Sequence, residues 1–269
     1  IFRGFQKFKD KFRPLEPELL PLRMHKTEEE IEKMKRAIEI TKIALDEVMK
    51  NMDSYQYERD IEADIARIYR KHGRTEAYPT IVASGPNACI LHYTHYDRKL
   101  EDGDLIMIDT GAEYDGYAAD ISRTFVKGNI SKRKNDIYTA VKSVQSEAIR
   151  AIRPGRSWDE HERVMRDIMN TTLKQLGLIP ESCTKGEEEI FSRKYFPHRM
   201  SHFLGLDVHD SGERNDILQP GMVITCEPGI YIKEEGIGVR IEDDILITDS
   251  GVVHLSVQIP ANITSEVTL

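Results

Sequence analysis

Two acidic pairs in the sequence are spaced so that their carboxylates can converge. Asp109 and Asp120 flank the segment Tyr114-Asp115-Gly116-Tyr117. Asp-Gly between β-like runs is a strong hairpin signal. A turn at Asp115-Gly116 sets position 109 opposite 122 and makes 120 its diagonal neighbour on the same face. Diagonal neighbours lie roughly 7–8 Å apart, close enough for two carboxylates to share one guest. Both aspartates sit in apolar surroundings, after Leu105-Ile-Met-Ile108 and after Ala118-Ala119. Two bare carboxylates on a buried face are costly, and a cation between them removes the cost. Glu227 and Glu242 repeat the pattern. A hairpin centred on Lys233–Gly236 sets 227 opposite 242, where like charges repel. Pro228-Gly229 distorts the strand just after Glu227, as a bulge that re-aims a side chain would.

Histidine adds a further ligand type. His198, His202 and His209 fall within twelve residues, beside Gly205. A lone histidine in such an apolar stretch more often packs and hydrogen-bonds than ligates, but a cluster of three weighs against that reading. Four carboxylates and one imidazole, Asp109, Asp120, His202, Glu227 and Glu242, form a hard donor set suited to Mn²⁺, Co²⁺, Zn²⁺ or Fe²⁺. Two such ions about 3.5–4 Å apart lower the pKa of a water between them toward ~7.

The elements that must position these groups read in two halves. Thr27 with Glu30 is a capping box opening a helix to about Met52. A second helix is predicted from Glu58 to His72, stopped by Gly73. Strands follow over Thr80–Ser84, Leu105–Asp109 and Ala118–Val126. Ser131 then opens a helix that ends near Pro154-Gly155. Ser157 with Glu160 caps another, which stops at Gly177. After a long connection come strands around Met222–Cys226, Ile230–Ile232, Val239–Ile241 and Ile245–Thr248. Helix, helix, paired strands, repeated, predicts a pseudo-symmetric α+β domain with helices over a curved antiparallel sheet. Residues 1–26 read as a basic, proline-containing lead-in and 27–269 as the catalytic body.

Bulk properties narrow the class. The 269 residues are 39% apolar and 31% charged, with net charge −8 and both signs interleaved. That disfavours a nucleic-acid binder, which needs a basic face. No apolar run approaches the ~18 residues of a membrane span. Three cysteines without a CxxC fit a reducing compartment and predict a cytoplasmic protein. The start at Ile1 reads as a processed or trimmed product. Trp158 reads as helix packing, Lys132-Arg-Lys134 as a solvated face at a helix start, Glu187-Glu-Glu189 as loop surface, and Cys226 as a small buried residue.

The motifs together resemble the pita-bread metallopeptidases: Ile108-Asp-Thr-Gly111, Ala119-Asp-Ile-Ser-Arg-Thr124, Ser201-His-Phe-Leu-Gly-Leu-Asp-Val-His-Asp210, Cys226-Glu-Pro-Gly-Ile-Tyr231 and Val239-Arg-Ile-Glu-Asp-Asp244. The match runs from about residue 27 to 256. With Cys89-Ile-Leu-His-Tyr-Thr94, the chain is most similar to Xaa-Pro aminopeptidase (aminopeptidase P); prolidase, the Xaa-Pro dipeptidase, shares most of it. The resemblance implies a pita-bread fold and two divalent ions, Mn²⁺ first. It implies peptide substrates with proline second, no nucleic-acid or membrane partner, and room for a homo-oligomer. It makes Asp109 a bidentate ligand, Asp120 and Glu242 bridging ligands, and His202 and Glu227 the remainder, with Glu227 also the general base. His92 and His209 would contact substrate and relay protons. His198 would line the proline side, Arg240 would orient carboxylates, and Tyr231 would hydrogen-bond in the substrate site. Arg199 stands where the family usually has glycine, which puts the local pocket shape in question. Of the family's N-terminal domain only the lead-in could be a remnant. An inactive peptide- or protein-binding module of the same fold is the rival class, disfavoured because such modules lose ligands and all five are present.

Overall fold

The computed structural model describes residues 15–212 and 217–263. The first 14 residues of the predicted lead-in and the last six of the predicted body lie outside the described residues. Helix α1 spans Glu16–Met24, so the end of the lead-in is helical, and its last residue, Met24, is buried in the core.

Helix α2 covers Glu28–Asn51. Its capping box is formed as expected: Thr27 accepts from the Glu30 amide, and the Glu30 carboxylate accepts from the Thr27 amide. Met34, Ala37, Ile38, Thr41, Ala44, Leu45 and Val48 recur every three or four residues and are buried together. Helix α3, Glu58–Lys71, buries Ile61, Ile65, Ile68 and Tyr69 and ends at Gly73, whose φ is +68°. The two cover one sheet, made of β1 (Ile81–Ser84), β2 (Leu105–Thr110) and β5 (Ile121–Val126) in that order.

A small hairpin, β3 (Glu113–Tyr114) with β4 (Tyr117–Ala118), caps β2 and β5. Its turn residues Asp115 and Gly116 both have positive φ, +50° and +89°. That is the primed turn an Asp-Gly pair favours, and it sets Asp109 opposite Ser122 as predicted. The run Ala118–Val126 is not one strand, however. It breaks at Ala119-Asp120, where Gly111 lets the backbones close: a Cβ at 111 would lie 1.7 Å from the Ala119 carbonyl oxygen.

The second half repeats the plan. Helices α4 (Lys132–Ala151) and α5 (Trp158–Gln175) accompany β6 (Val223–Cys226), β9 (Asp243–Thr248) and β10 (Gly251–His254), in sheet order β10-β9-β6. A second hairpin, β7 (Gly229–Ile232) with β8 (Ile237–Arg240), extends from β6 and β9. The pairs Cys226↔Asp243 and Gly229↔Arg240 keep one register on both sides of the interruption at Glu227-Pro228. The halves join where the Glu242 amide donates to Ser122 O (3.0 Å) and the Thr124 hydroxyl to Arg240 O (3.0 Å). This seam faces Glu242 toward the aspartates of the first half.

Three local expectations fail for physical reasons. The long connection contains helix α6 (Lys185–Tyr195), with a Thr184/Glu187 capping box, so Glu187-Glu-Glu189 is helical surface rather than loop. It has no apolar stripe to betray it: Ile190 is exposed and Ser192 is its buried residue. Strand β10 is a four-residue edge following an Asp249-Ser250 turn, too short to show period-2 alternation. At α5, Ser157 accepts from the Glu160 amide, but the Glu160 carboxylate lies 3.7 Å from Arg156, so half of the box is formed. Trp158 packs as predicted, stacked on Phe203 with ring centroids 4.6 Å apart. No helix among the described residues is long and apolar enough to cross a membrane.

Candidate metal centre

Every residue singled out above for chemistry, Tyr231 excepted, lines one cavity of about 200 Å³ at the seam. Asp109 comes from the end of β2 and Asp120 from the break before β5. Glu242 comes from the break between β8 and β9, and Glu227 from the break between β6 and β7. Asp120, Glu227 and Glu242 sit where a ladder is interrupted, which frees them from the strict alternation of a strand, whereas Asp109 is held within the ladder, between Ile81 and Ser122. His202 comes from the segment before β6, whose amides pair with it: Leu204 N to Val223 O and Thr225 N to His202 O.

His202 Nδ1 lies 3.0 Å from Phe203 O, which accepts its proton and leaves Nε2 to face the acids. Nε2 stands 3.3 Å from Asp120 Oδ2, 3.7 Å from Glu227 Oε1 and 3.8 Å from Glu242 Oε1. One donor atom each from Asp120, His202 and Glu242 lies within 4.8 Å of the others, a set that can hold a metal ion. Glu242 Oε1 is buried without a hydrogen-bond partner, while Ser122 donates to its Oε2 at 2.9 Å. An orphaned buried carboxylate oxygen aimed at an imidazole nitrogen fits a cation between them. The surrounding oxygens are hard donors.

Electrostatics agree. Burial raises the pKa of Asp109 against the opposing pull of Arg240. Burial pushes Glu227 up to about 8, with His202 and Arg240 opposing. Burial and the charges of Asp120 and Glu227 raise Glu242 well above the carboxylate range. Burial depresses His202, but the hydrogen bond to Asp120 and the Glu227 charge outweigh it and take it up to about 9. The site thus holds protons at neutral pH that a metal must displace. Loading Mn²⁺ at pH 7 should release protons, and the apparent affinity should rise with pH toward about 9. Titration calorimetry in two buffers of different ionisation enthalpy tests this; equal apparent enthalpies would refute it.

Arg240 and Tyr231 stand behind the carboxylates. The Arg240 guanidinium donates to Asp109 Oδ2 (2.5 Å), Ser122 Oγ (2.8 Å) and Tyr231 Oη (2.9 Å). Tyr231 in turn lies 2.8 Å from His198 Nε2. Tyr231 thus stands one contact behind the cavity wall, where its hydroxyl holds His198 and Arg240, both of which line the cavity. His198 Nδ1 is 3.4 Å from Glu227 Oε2; burial and the Arg240 charge hold its pKa down to about 3. His209 packs edge-on against His202, with centroids 4.5 Å apart. His92 arrives on the loop before β2. That loop is tied to buried Glu58, whose carboxylate accepts from Ser84, Asn87, Tyr93 and the Arg98 amide. Cys226 is buried, and its thiol pKa is driven up by burial, so it is no nucleophile.

Tyr78 went unnoticed in the sequence. Its hydroxyl lies 2.7 Å from Asp109 Oδ1 and 2.5 Å from Asp120 Oδ1. A tyrosine ahead of a strand carries no signal by spacing; the β1–β2 register brings it there, through Ile81 opposite Asp109. A second hollow of about 320 Å³ shares His202, His209 and Glu227 and is walled by Trp158, Phe203 and Arg199.

Residues 32–249 match the model for metallopeptidase family M24. The chain belongs to that family. Among its M24 relatives, the Xaa-Pro aminopeptidase of Escherichia coli strain K12 is 40% identical over 257 residues, covering 90% of this chain and 58% of the relative. The Xaa-Pro dipeptidase of Pyrococcus furiosus is 34% identical over 261 residues, covering 93% of this chain and 70% of the relative. The solved structure of E. coli aminopeptidase P with the inhibitor Pro-Leu aligns with a TM-score of 0.84 at 38% identity, over 92% of this chain and 60% of that one. The α+β pita-bread fold expected from the motifs is the one observed. The M24 chain spans about 60% of the length of the aminopeptidases it matches.

Proposed function

We propose that this chain removes the N-terminal residue from peptides whose second residue is proline, using two divalent ions, Mn²⁺ first. Asp109, Asp120, His202, Glu227 and Glu242 would hold the ions. The observation that carries the reading is the convergence of these five side chains and of His92, His198 and His209 on one cavity containing an unpartnered buried Glu242 oxygen. Bound ions would supply a water nucleophile at neutral pH, polarise the scissile carbonyl and anchor the free amino group.

The chain's own groups account for the rest. Burial favours the protonated form of Glu227 in the empty site; once a bound ion had displaced that proton, Glu227 would be placed to accept a proton from the attacking water and pass it to the departing proline nitrogen. Burial and the neighbouring His202 lower the His209 pKa, so at neutral pH it is an uncharged imidazole able to donate one hydrogen bond to a developing oxyanion. His92 lines the same cavity and is assigned the same task. Each such donor is worth about 2.7–4 kcal/mol in the transition state. His198, held by Tyr231 and the Arg199 carbonyl, walls the side assigned to proline. The relatives named for Xaa-Pro cleavage and the Pro-Leu complex of the E. coli enzyme support this specificity.

The test is hydrolysis of Arg-Pro-Pro and of Gly-Pro by metal-stripped protein before and after addition of Mn²⁺, Co²⁺ or Zn²⁺, with Asp109→Ala as control. Metal-restored release of arginine from the tripeptide is expected. Cleavage of the dipeptide alone would favour the dipeptidase reading, which the P. furiosus relative supports. Failure to bind metal would sink the site.

A further inference from the structure

His209 reaches the cavity from a segment of irregular backbone, and cations from the region preceding the body hold that segment. Arg23, in the last turn of α1, places Nη2 2.6 Å from Asp207 Oδ2 and 2.5 Å from Asp210 Oδ1. Lys26 Nζ lies 3.5 Å from Asp210 Oδ2. These two aspartates flank His209. The side chains of Lys26 and Asp210 are each 1% exposed, so the pair is buried rather than a screened surface contact. A carboxylate at that depth is strongly destabilising without its cations. The backbone completes the clamp. Lys26 N donates to Gly221 O (2.8 Å), Asp210 N to Phe203 O (2.9 Å), and Ser211 N to Asp210 Oδ1 (2.8 Å). Gly205 leaves room for it: a Cβ there would come within 2.2 Å of Asp210 Oδ2 and 2.8 Å of Lys26 Cε. The motif Asp207-Val-His-Asp210 is thereby explained, since its outer residues are anchors and its histidine is the group delivered.

We infer that Arg23 and Lys26 are positioning residues: the α1 end clamps Asp207 and Asp210 and so sets His209 against His202 and the cavity. The segment ahead of the body then acts on the cavity at one remove, through Asp207 and Asp210. The kinetic part of this inference rests on the hydrolase reading; the structural part does not.

The experiment compares the Mn²⁺-loaded wild type with Arg23→Met, Arg23→Lys, Lys26→Met, His209→Ala and the double variant Arg23→Met/His209→Ala. Arg23→Met and Lys26→Met should lower kcat/KM on Arg-Pro-Pro by about 10–100-fold, the range typical of residues that orient a functional group. Arg23→Lys, keeping charge without the fork, should fall between Arg23→Met and wild type. In the His209→Ala background the Arg23→Met loss should collapse to about unity. Bound Mn²⁺ should be unchanged. Hydrogen exchange of the amides of residues 203–211 should accelerate in the Met variants by about tenfold or more. A loss undiminished in the His209→Ala background, a fall in bound Mn²⁺, or unchanged exchange would each overturn the assignment. A wild type that cleaves neither Arg-Pro-Pro nor Gly-Pro would defeat the proposed function instead, and the exchange measurement alone would then decide the clamp.

Discussion

Glu242→Gln should abolish metal-restored hydrolysis while making the metal-stripped protein more stable, two effects of opposite sign from one atom. Glu242 Oε1 is buried, has no hydrogen-bond partner, and faces His202 at 3.8 Å. Asp120, Glu227 and Asp109 all push the Glu242 pKa up, after burial. An amide of the same shape removes that repulsion and can donate toward the neighbouring acids. It also keeps an oxygen for the Ser122 hydroxyl. The stripped variant should therefore melt at a higher temperature than the stripped wild type. The same change removes an anionic donor from the set that can hold a metal. A metal contributes several kcal/mol of charge stabilisation to such reactions, and each ~1.36 kcal/mol is a factor of ten. The expected loss in kcat/KM is thus about 10³-fold or more, accompanied by loss of the Mn²⁺-dependent rise in melting temperature. Thermal melts with and without Mn²⁺, paired with Arg-Pro-Pro kinetics, check both signs. A stripped variant less stable than the stripped wild type would mean that Glu242 is a structural residue rather than a strained acid awaiting a cation.

The contrast between strain and function also explains what could be read in advance. Asp109 and Asp120 were legible because the Asp115-Gly116 turn fixes a register, and a register fixes faces. Glu227 and Glu242 were legible for the same reason, through the shared register of the two second-half hairpin segments. His202 was legible from its company in the sequence. Tyr78 was not, because it meets the aspartates through pairing between β1 and β2, two strands separated by a long loop with no turn signal to set their register. The partnership of Arg23 and Lys26 with Asp207 and Asp210 was hidden for a similar reason. The contact spans 184 residues, and nothing local marks a basic lead-in as buried. Helix α6 was missed because its single strong signal, the Thr184/Glu187 cap, precedes no apolar stripe. Local rules thus reached what turns and caps determine, whereas groups assembled by long-range packing required the fold.

Arg240→Met should be the most destabilising single change at the centre, by roughly 3–5 kcal/mol in the metal-stripped protein, the cost of leaving a buried charge without its partner. Arg240 is buried and directs its three nitrogens to Asp109, Ser122 and Tyr231. Without it, Asp109 keeps only the Tyr78 hydroxyl as a hydrogen-bond donor among the contacts described. His198 loses the support that reaches it through Tyr231. Lysine should not rescue the variant, because one ammonium cannot occupy three directions at once. The loss should depend on conditions in a way that a simple cavity would not. Arg240 lowers the Asp109 pKa against the burial that raises it. In the variant Asp109 therefore escapes by taking up a proton, which it does more readily as the pH falls. The destabilisation should accordingly be large at pH 8 and smaller at pH 5. Mn²⁺ should also shrink it, by supplying the positive charge that the guanidinium no longer provides. Urea unfolding at the two pH values, with and without Mn²⁺, separates these contributions. A penalty independent of both pH and metal would show that Arg240 acts through packing, and that Asp109 does not depend on it for counter-charge.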